Sequence, residues 1–370
     1  MKILSIAPSY FPATKFGGPI FSTKLLNKYL SNNNIVEVVT SSAGTKFRNN
    51  IKYIDNIKVN YLPSYGPDNF TYSPGLILYL LKNIKKFDIV QINAIWNFHF
   101  IIGAIFCIVY KKPFETYPKG SLDKNAIYSK NKNLKLIYLR LLRKLINKSS
   151  LIVYSSRIEK NNSIKLINNK FCEIIANPVE KPKKTKSTVR QKTILYLGRI
   201  AKNKGIFELI NNFNKTTNNY KLIIAGSVED SKYFEMISNT ARSNNQIIIL
   251  GNQNSINKTK LIKSCFCLIL PSKVFENFGN VVAESLVLNT PVIVSSRAGV
   301  SEYVYKYRAG VIINPSKYDL NTCLINIKNN YKLLQENGRL LVQTEFYPDN
   351  IAKATNRTYI KVMNKFYINK

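Results

Sequence analysis

Short runs that are apolar at nearly every position, each stopping at a glycine, a proline or a polar pair, recur along this chain. They constrain its fold more than any other feature. The first series is KILSIAP (Lys2 to Pro8), VEVVTS (Val36 to Ser41), IKVNYLP (Ile57 to Pro63), FDIVQIN (Phe87 to Asn93), LIVYSS (Leu151 to Ser156) and CEIIANP (Cys172 to Pro178). A strand with no polar face is covered on both sides, and the stretches between these runs carry helical spacing. That alternation predicts a parallel sheet with helices on both faces. After Pro178 the chain turns polar and basic, PVEKPKKTKSTVRQK, which reads as a linker over 181–192. The alternation then restarts with TILYLGRI, YKLIIAGS, QIIILGN, CFCLILPS, TPVIVSS and GVIINP. The reading is therefore α/β, with one domain over 1–180 and a second over 193–349. A terminal helix over 350–370 is expected to return to the first domain. A length of 370 residues suits two separate cores.

The formal net charge is +35. Lysine and asparagine are spread along the whole chain, so part of this excess reflects compositional drift; the remainder favours anionic partners, namely nucleotide phosphates, nucleic acid or a lipid surface. Nucleic-acid binding would require basic residues clustered on one face with aromatics between them. The lysines here are diffuse, which disfavours that class. Five cysteines (Cys107, Cys172, Cys265, Cys267, Cys323) form no C-x-x-C pair and sit in apolar surroundings, as buried thiols do in a reducing compartment. The single histidine, His99, makes a Ser-His-Asp triad or a His-rich metal site improbable, and its aromatic neighbours Phe98 and Phe100 favour simple packing. No cofactor and no metal are expected. The N-terminus lacks the features of a signal peptide, and the longest apolar run, Phe100 to Tyr110, is about half the ~20 residues a span needs. A cytoplasmic protein is expected, soluble or peripheral on the inner face of the membrane.

In open parallel sheets ligands bind at the carboxyl ends of the strands, which puts the chemistry in a cleft between the two domains. Four strand ends carry polar or glycine features. After the first strand, PSYFPATKFGG places Gly17 and Gly18 before a helix, where a backbone can approach a phosphate; a plain flexible turn fits as well. In LYLGRIAKNKG, Gly198 allows a sharp exit, and Arg199 and Lys204 flank the turn that follows. Two such cations can clamp a diphosphate, and a solvated basic loop is the competing reading. AGSVED and LGNQNS are ordinary strand-to-helix turns. The last, FENFGNVVAES, sets Glu276 in a loop before a helix that opens near Gly279-Asn280, with Glu284 more than one turn inside it.

The order GRI…KG, then PS…FENFGNVVAE, then TPVIVSS and AGVSE resembles the retaining glycosyltransferases of family 4, which have the two-domain GT-B fold. The N-terminal segments IAPSYFPATKFGGP, INAIWNF and PFETYPKGSLDKNAIYSK are similar to that family's first glycine loop and acceptor-domain segments, so the resemblance covers essentially the whole chain. It implies a nucleotide-sugar donor and a glycan or lipid-linked acceptor in cell-surface polysaccharide synthesis, with a small soluble acceptor as the alternative. Glu284 then takes the ribose hydroxyls, Glu276 the donor sugar, and the backbone of Phe278, Gly279, Asn280 and Val281 the sugar and its phosphate. Gly17, Gly18 and Gly198 complete the donor set, and Arg199 and Lys204 stabilise the departing diphosphate without a metal. Trp96, Asn97, Lys119 and Gly120 fall on the acceptor side. Relatives often carry His or Arg where this chain has Lys119, and a lysine serves as a base near neutrality only with a strongly lowered pKa.

One further stretch, Lys130 to Lys148, places Leu134, Ile137, Leu141, Leu142 and Leu145 on one helical face, with Lys132, Lys135, Arg140, Arg143, Lys144 and Lys148 around it. Such a face packs on its own domain or lies on an anionic bilayer.

Overall fold

The computed structural model describes residues 1–368 apart from 48, 67–69, 124–131, 165–166, 168–170, 181–188 and 217–218, and gives only the backbone of 132–136 and 164. Contacts divide the chain into two compact units, Met1–Pro178 with Pro348–Lys370, and Val179–Tyr347.

In the first unit eight strands form one sheet: β1 (Lys2–Ala7), β2 (Ile35–Ser41), β3 (Asn50–Ile54), β4 (Ile57–Leu62), β5 (Ile89–Asn93), β6 (Phe114–Tyr117), β7 (Leu151–Tyr154) and β8 (Cys172–Ile174). Their order is β3-β4-β2-β1-β5-β6-β7-β8. Every pairing is parallel except β3 with β4. The wholly parallel expectation needs that correction. Asp55 and Asn56 adopt φ of 50° and 64°, a turn that Asp and Asn tolerate and that folds β3 back as an edge hairpin. β3 carries its apolar residues outward, with Ile51 and Tyr53 exposed, so the buried-strand pattern that marks its neighbours is missing from it. β6 also escaped the strand reading, although all four of its residues are buried.

The helix Gly18–Leu30 covers one face beside the terminal helix Pro348–Ile368, which packs against it. Ile351, Thr355, Tyr359 and Val362 of the terminal helix are buried, and the Tyr359 hydroxyl donates to Gln91 Oε1 of β5 at 3.0 Å. The opposite core joins Leu4, Ile92, Phe100, Phe114, Leu142 and Ile152. The helix Lys132–Asn147 contributes Leu139, Leu142, Leu145 and Ile146 to the interior, while Ile137 and Leu141 are exposed. The single apolar face expected from the sequence is thereby split. Leu139 and Ile146 shift the buried arc round the helix and leave two apolar side chains outside it. The side chain of Leu134 lies outside the described residues.

The second unit is a six-stranded, all-parallel sheet: β9 (Thr193–Leu197), β10 (Lys221–Ala225), β11 (Ile247–Leu250), β12 (Cys267–Leu270), β13 (Val292–Ser295) and β14 (Gly310–Ile313), in the order β11-β10-β9-β12-β13-β14. The winding reverses between β9 and β12, so the loops leaving those two strands lie side by side at their carboxyl ends. The unit has its own core, built on Tyr196, Ile210, Phe213, Ile224, Ile269 and Leu324. Of the expected linker, residues 181–188 lie outside the described residues. Arg190 is tied to this unit: its guanidinium donates to Thr290 Oγ1 (2.8 Å) and to the carbonyls of Cys265 (3.1 Å) and Asn289 (2.7 Å).

Candidate active site

The loops after β9 and β12 are locked together by a glycine. Gly205 has φ 73°, and a Cβ there would stand 2.2 Å from the Pro271 carbonyl oxygen. Only glycine lets the Lys202–Gly205 turn lie this close to the end of β12. The backbone N–H of Lys273 then donates to the Asn203 carbonyl at 3.0 Å. This approach brings Lys204 onto Glu276: its ammonium pairs with Oε2, and the Ser272 hydroxyl lies 3.5 Å from the same oxygen.

Glu276 is held in an extended loop laid alongside Arg297–Val300. Its N–H donates to the Arg297 carbonyl (3.0 Å) and its carbonyl accepts from the Gly299 N–H (2.9 Å). Phe278 points inward, 2% exposed, into a cluster with Tyr303 and Phe346. Its contribution to a ligand is limited to its backbone. Gly279 turns the chain at φ 91° into the helix Asn280–Val287, and its carbonyl accepts from the Val282 N–H at 2.9 Å. Glu284, half-buried on that helix, pairs with Lys258 of the helix Ser255–Ser264.

Arg199 does not meet Lys204 in a clamp. Its guanidinium turns to Glu229, at 2.6 Å, with both side chains about half exposed. The reason is local: Gly226 has φ 156° and no room for a Cβ against the Gly198 carbonyl, so the loops after β9 and β10 run together and deliver Glu229 beside Arg199. Such exposed pairs contribute only about 0–1 kcal/mol, so this one adds little to the fold.

In the first unit, the residues expected on the acceptor side follow β5 and β6. Asn97 is buried, and its side-chain oxygen caps the helix Phe98–Val109 by accepting from the Phe100 N–H at 2.8 Å. That explains its residue type by helix capping. The Trp96 indole N–H donates to the Ser121 carbonyl (2.6 Å), and its ring stacks on Tyr138. His99 is fully buried, and burial drops its pKa to about 3, so it is neutral packing. Lys119 and Gly120 take φ of 55° and 79°. Glu159, buried on the helix Arg157–Ile164, fixes this turn by accepting from the Gly120 N–H (2.6 Å) and from the N–H and hydroxyl of Ser155 (2.7 Å each). Burial lowers the Lys119 amine to about 8 against the opposing charge of Glu159. The amine lies 3.5 Å from Asn177 Oδ1, beside a cavity of about 10 Å³ also lined by Ser22, Tyr117 and Ser155. At Gly17, φ is 79° and no atom stands within 4 Å of a Cβ position, so the first glycine loop borders open space.

Sequence reasoning did not find Lys258, Glu229, Glu159 or Asn177. The two carboxylates and the lysine carry no local mark, because their roles come from chain segments 26 to 39 residues away.

Two Rossmann-like units with this winding define the GT-B class of fold. The chain matches the family described as Glycosyl transferases group 1 over residues 179–338. An uncharacterized glycosyltransferase of Methanocaldococcus jannaschii is 31% identical over 175 residues, which is 46% of this chain and 45% of that protein. The capsular polysaccharide biosynthesis glycosyltransferase CapM of Staphylococcus aureus is 28% identical over 158 residues, 41% of each chain. The match thus spans less than half the length of either relative. The crystal structure of Anabaena Alr3699/HepE in complex with UDP superposes with a TM-score of 0.77 over 98% of this chain and 100% of that one, at 17% identity; a complex of the same protein with UDP-glucose superposes equally well. The family match falls within the second unit, Val179–Tyr347.

Proposed function

We propose that the protein is a retaining glycosyltransferase that moves a sugar from a nucleotide-sugar donor to a glycan or lipid-linked acceptor in cell-surface polysaccharide synthesis. The observation that carries this reading is the convergence of Lys204, Glu276 and the glycine-led helix start at the winding reversal of the second sheet. Relatives in capsule synthesis and structural neighbours holding UDP and UDP-glucose support the choice of reaction and donor class.

In this mechanism the acceptor hydroxyl oxygen bonds to the anomeric carbon on the face from which the diphosphate leaves. The bond from that carbon to the phosphate oxygen breaks, and the hydroxyl proton passes to the departing phosphate. Arg199 and Lys204 neutralise the charge that develops there, and no metal takes part. Glu276 orients the sugar hydroxyls, a task suited to an acceptor-only carboxylate. Lys119, on the turn that Glu159 fixes through the Gly120 N–H, donates to the acceptor.

The test is a thermal-shift and turnover screen of the purified chain against UDP-, GDP- and ADP-linked sugars, with the product's anomeric configuration read by NMR. Retention with full activity in excess chelator is expected. An inverted product, or activity abolished by the chelator, overturns the mechanism. In calorimetry with the preferred nucleoside diphosphate, Arg199→Ala and Lys204→Ala should each lose ~1.5–3 kcal/mol of binding, the scale of charged hydrogen bonds; unchanged affinity returns that loop to solvated surface.

A further inference from the structure

The Lys258–Glu284 pair has no evident duty in holding the fold. The helix Ser255–Ser264 is anchored without it: Asn254 caps it by accepting from the Asn257 N–H at 2.9 Å, Ile262 is buried, and the Ile262 carbonyl accepts from the Thr290 hydroxyl at 2.8 Å. The helix Asn280–Val287 is pinned by buried Val282, Ala283 and Leu286. Both charged side chains remain more than a quarter exposed, where such a pair adds little to stability.

Its chemistry suits a ligand better. A hydroxyl group has one proton to donate and lone pairs to accept with; an ammonium only donates, and a carboxylate only accepts. A lysine and a glutamate in contact therefore match both capacities of one hydroxyl inserted between them. The same construction occurs a second time in this unit, where Lys204 closes on Glu276. Two signature carboxylates, eight residues apart, each meet an ammonium delivered from a different, earlier element.

We propose that Lys258 and Glu284 form a clamp for one ribose hydroxyl of the donor nucleotide, with Lys258 donating to the hydroxyl oxygen and Glu284 accepting the hydroxyl proton. Lys258 thereby becomes a donor-binding residue. The inference rests on the donor reading of Glu284, and the experiment separates the two.

Binding of UDP, with GDP and ADP in parallel, is measured by calorimetry for the wild type, Lys258→Met, Lys258→Arg, Glu284→Gln and the double variant. The tightest of the three is then replaced by its 2′-deoxy and 3′-deoxy forms. Lys258→Met is expected to weaken the ribonucleotide about tenfold, the lower end of a charged hydrogen bond. Lys258→Arg should recover most of that loss. The double variant should be no weaker than the sum of the single losses predicts, since both act on one hydroxyl. With one of the two deoxy forms the wild type and Lys258→Met should bind within about twofold of each other, because the clamped hydroxyl is gone; a merely structural lysine would weaken all forms alike. If Glu284→Gln has no effect, or the wild type binds none of the three nucleotides, the donor reading fails and the clamp with it. If Glu284→Gln weakens binding and Lys258→Met does not, or its loss persists with both deoxy forms, the clamp alone is overturned.

Discussion

Glu276 and Gly205 belong to the same pair of touching loops and should fail in different ways. Glu276→Gln keeps the shape of the side chain and removes the charge facing Lys204. Turnover is expected to fall by about 10²–10³, the scale of one lost transition-state contact, with the melting temperature little changed. Wild-type rates in that variant would remove Glu276 from the mechanism. Gly205→Ala forces a Cβ against the Pro271 carbonyl at a left-handed backbone position. It should cost at least ~1–3 kcal/mol of stability and weaken diphosphate binding, because Lys204 is the preceding residue. Gly251→Ala is the control: its φ lies outside the left-handed range and nothing stands within 4 Å of a Cβ there, so little stability should be lost. Equal melting temperatures for the two variants would contradict the packing argument.

At the scale of elements, the terminal helix Pro348–Ile368 meets β6 through a buried carboxyl. Glu115 is fully buried, accepts from the Tyr117 hydroxyl at 3.0 Å and meets Thr358 of the helix. Burial raises its pKa from 4.5 to about 8. Between those two values the folded state keeps a proton that the unfolded chain has lost. The stabilising contribution is therefore complete below the unfolded value and is lost as pH rises through about 8. Each unit of pKa difference corresponds to ~1.4 kcal/mol. Denaturation between pH 5 and 9 should show wild-type stability falling relative to Glu115→Gln as pH rises. A difference independent of pH would show that Glu115 is ionised in the fold. The same helix carries Tyr359, whose buried hydroxyl reaches Gln91; Tyr359→Phe should cost about 1–3 kcal/mol by leaving that acceptor unpaired. An unchanged melting temperature would mean that the bond contributes nothing.

For the whole molecule the open question is where the +35 charge acts. No helix among the described residues is long and apolar enough to cross a membrane. Yet Ile137 and Leu141 stand exposed on the helix Lys132–Asn147 beside exposed Arg140 and Lys144. Leu78 and Leu81 of the helix Gly75–Asn83, and Ile108 and Val109 of the helix Phe98–Val109, are exposed on neighbouring helices. An apolar patch with a basic rim suits an anionic bilayer, at roughly 1 kcal/mol per well-placed cation. Co-sedimentation with anionic vesicles is expected at low salt, fading as salt rises, with none on neutral vesicles and a loss in Ile137→Ser/Leu141→Ser. Absence of binding at low salt would favour a small soluble acceptor.

The two α/β units were legible because a buried parallel strand is a local object: apolar at every position, bounded by glycine or proline, readable within seven or eight residues. The edge strand β3 was not, since none of its residues is buried and only its partner β4 makes it a strand. Glu276 and Glu284 stood out because their spacing brackets a glycine-led helix start, again a local pattern. Their lysine partners did not. In a chain with 55 lysines and arginines, a useful cation looks like any other until the fold brings it to its carboxylate. Lys204 reaches Glu276 because β9 and β12 are neighbours at the winding reversal and Gly205 lets their loops touch. Lys258 reaches Glu284 because the helices after β11 and β12 present those positions to each other. Contact order is a property of the folded topology, so those pairings belong to the tertiary structure alone.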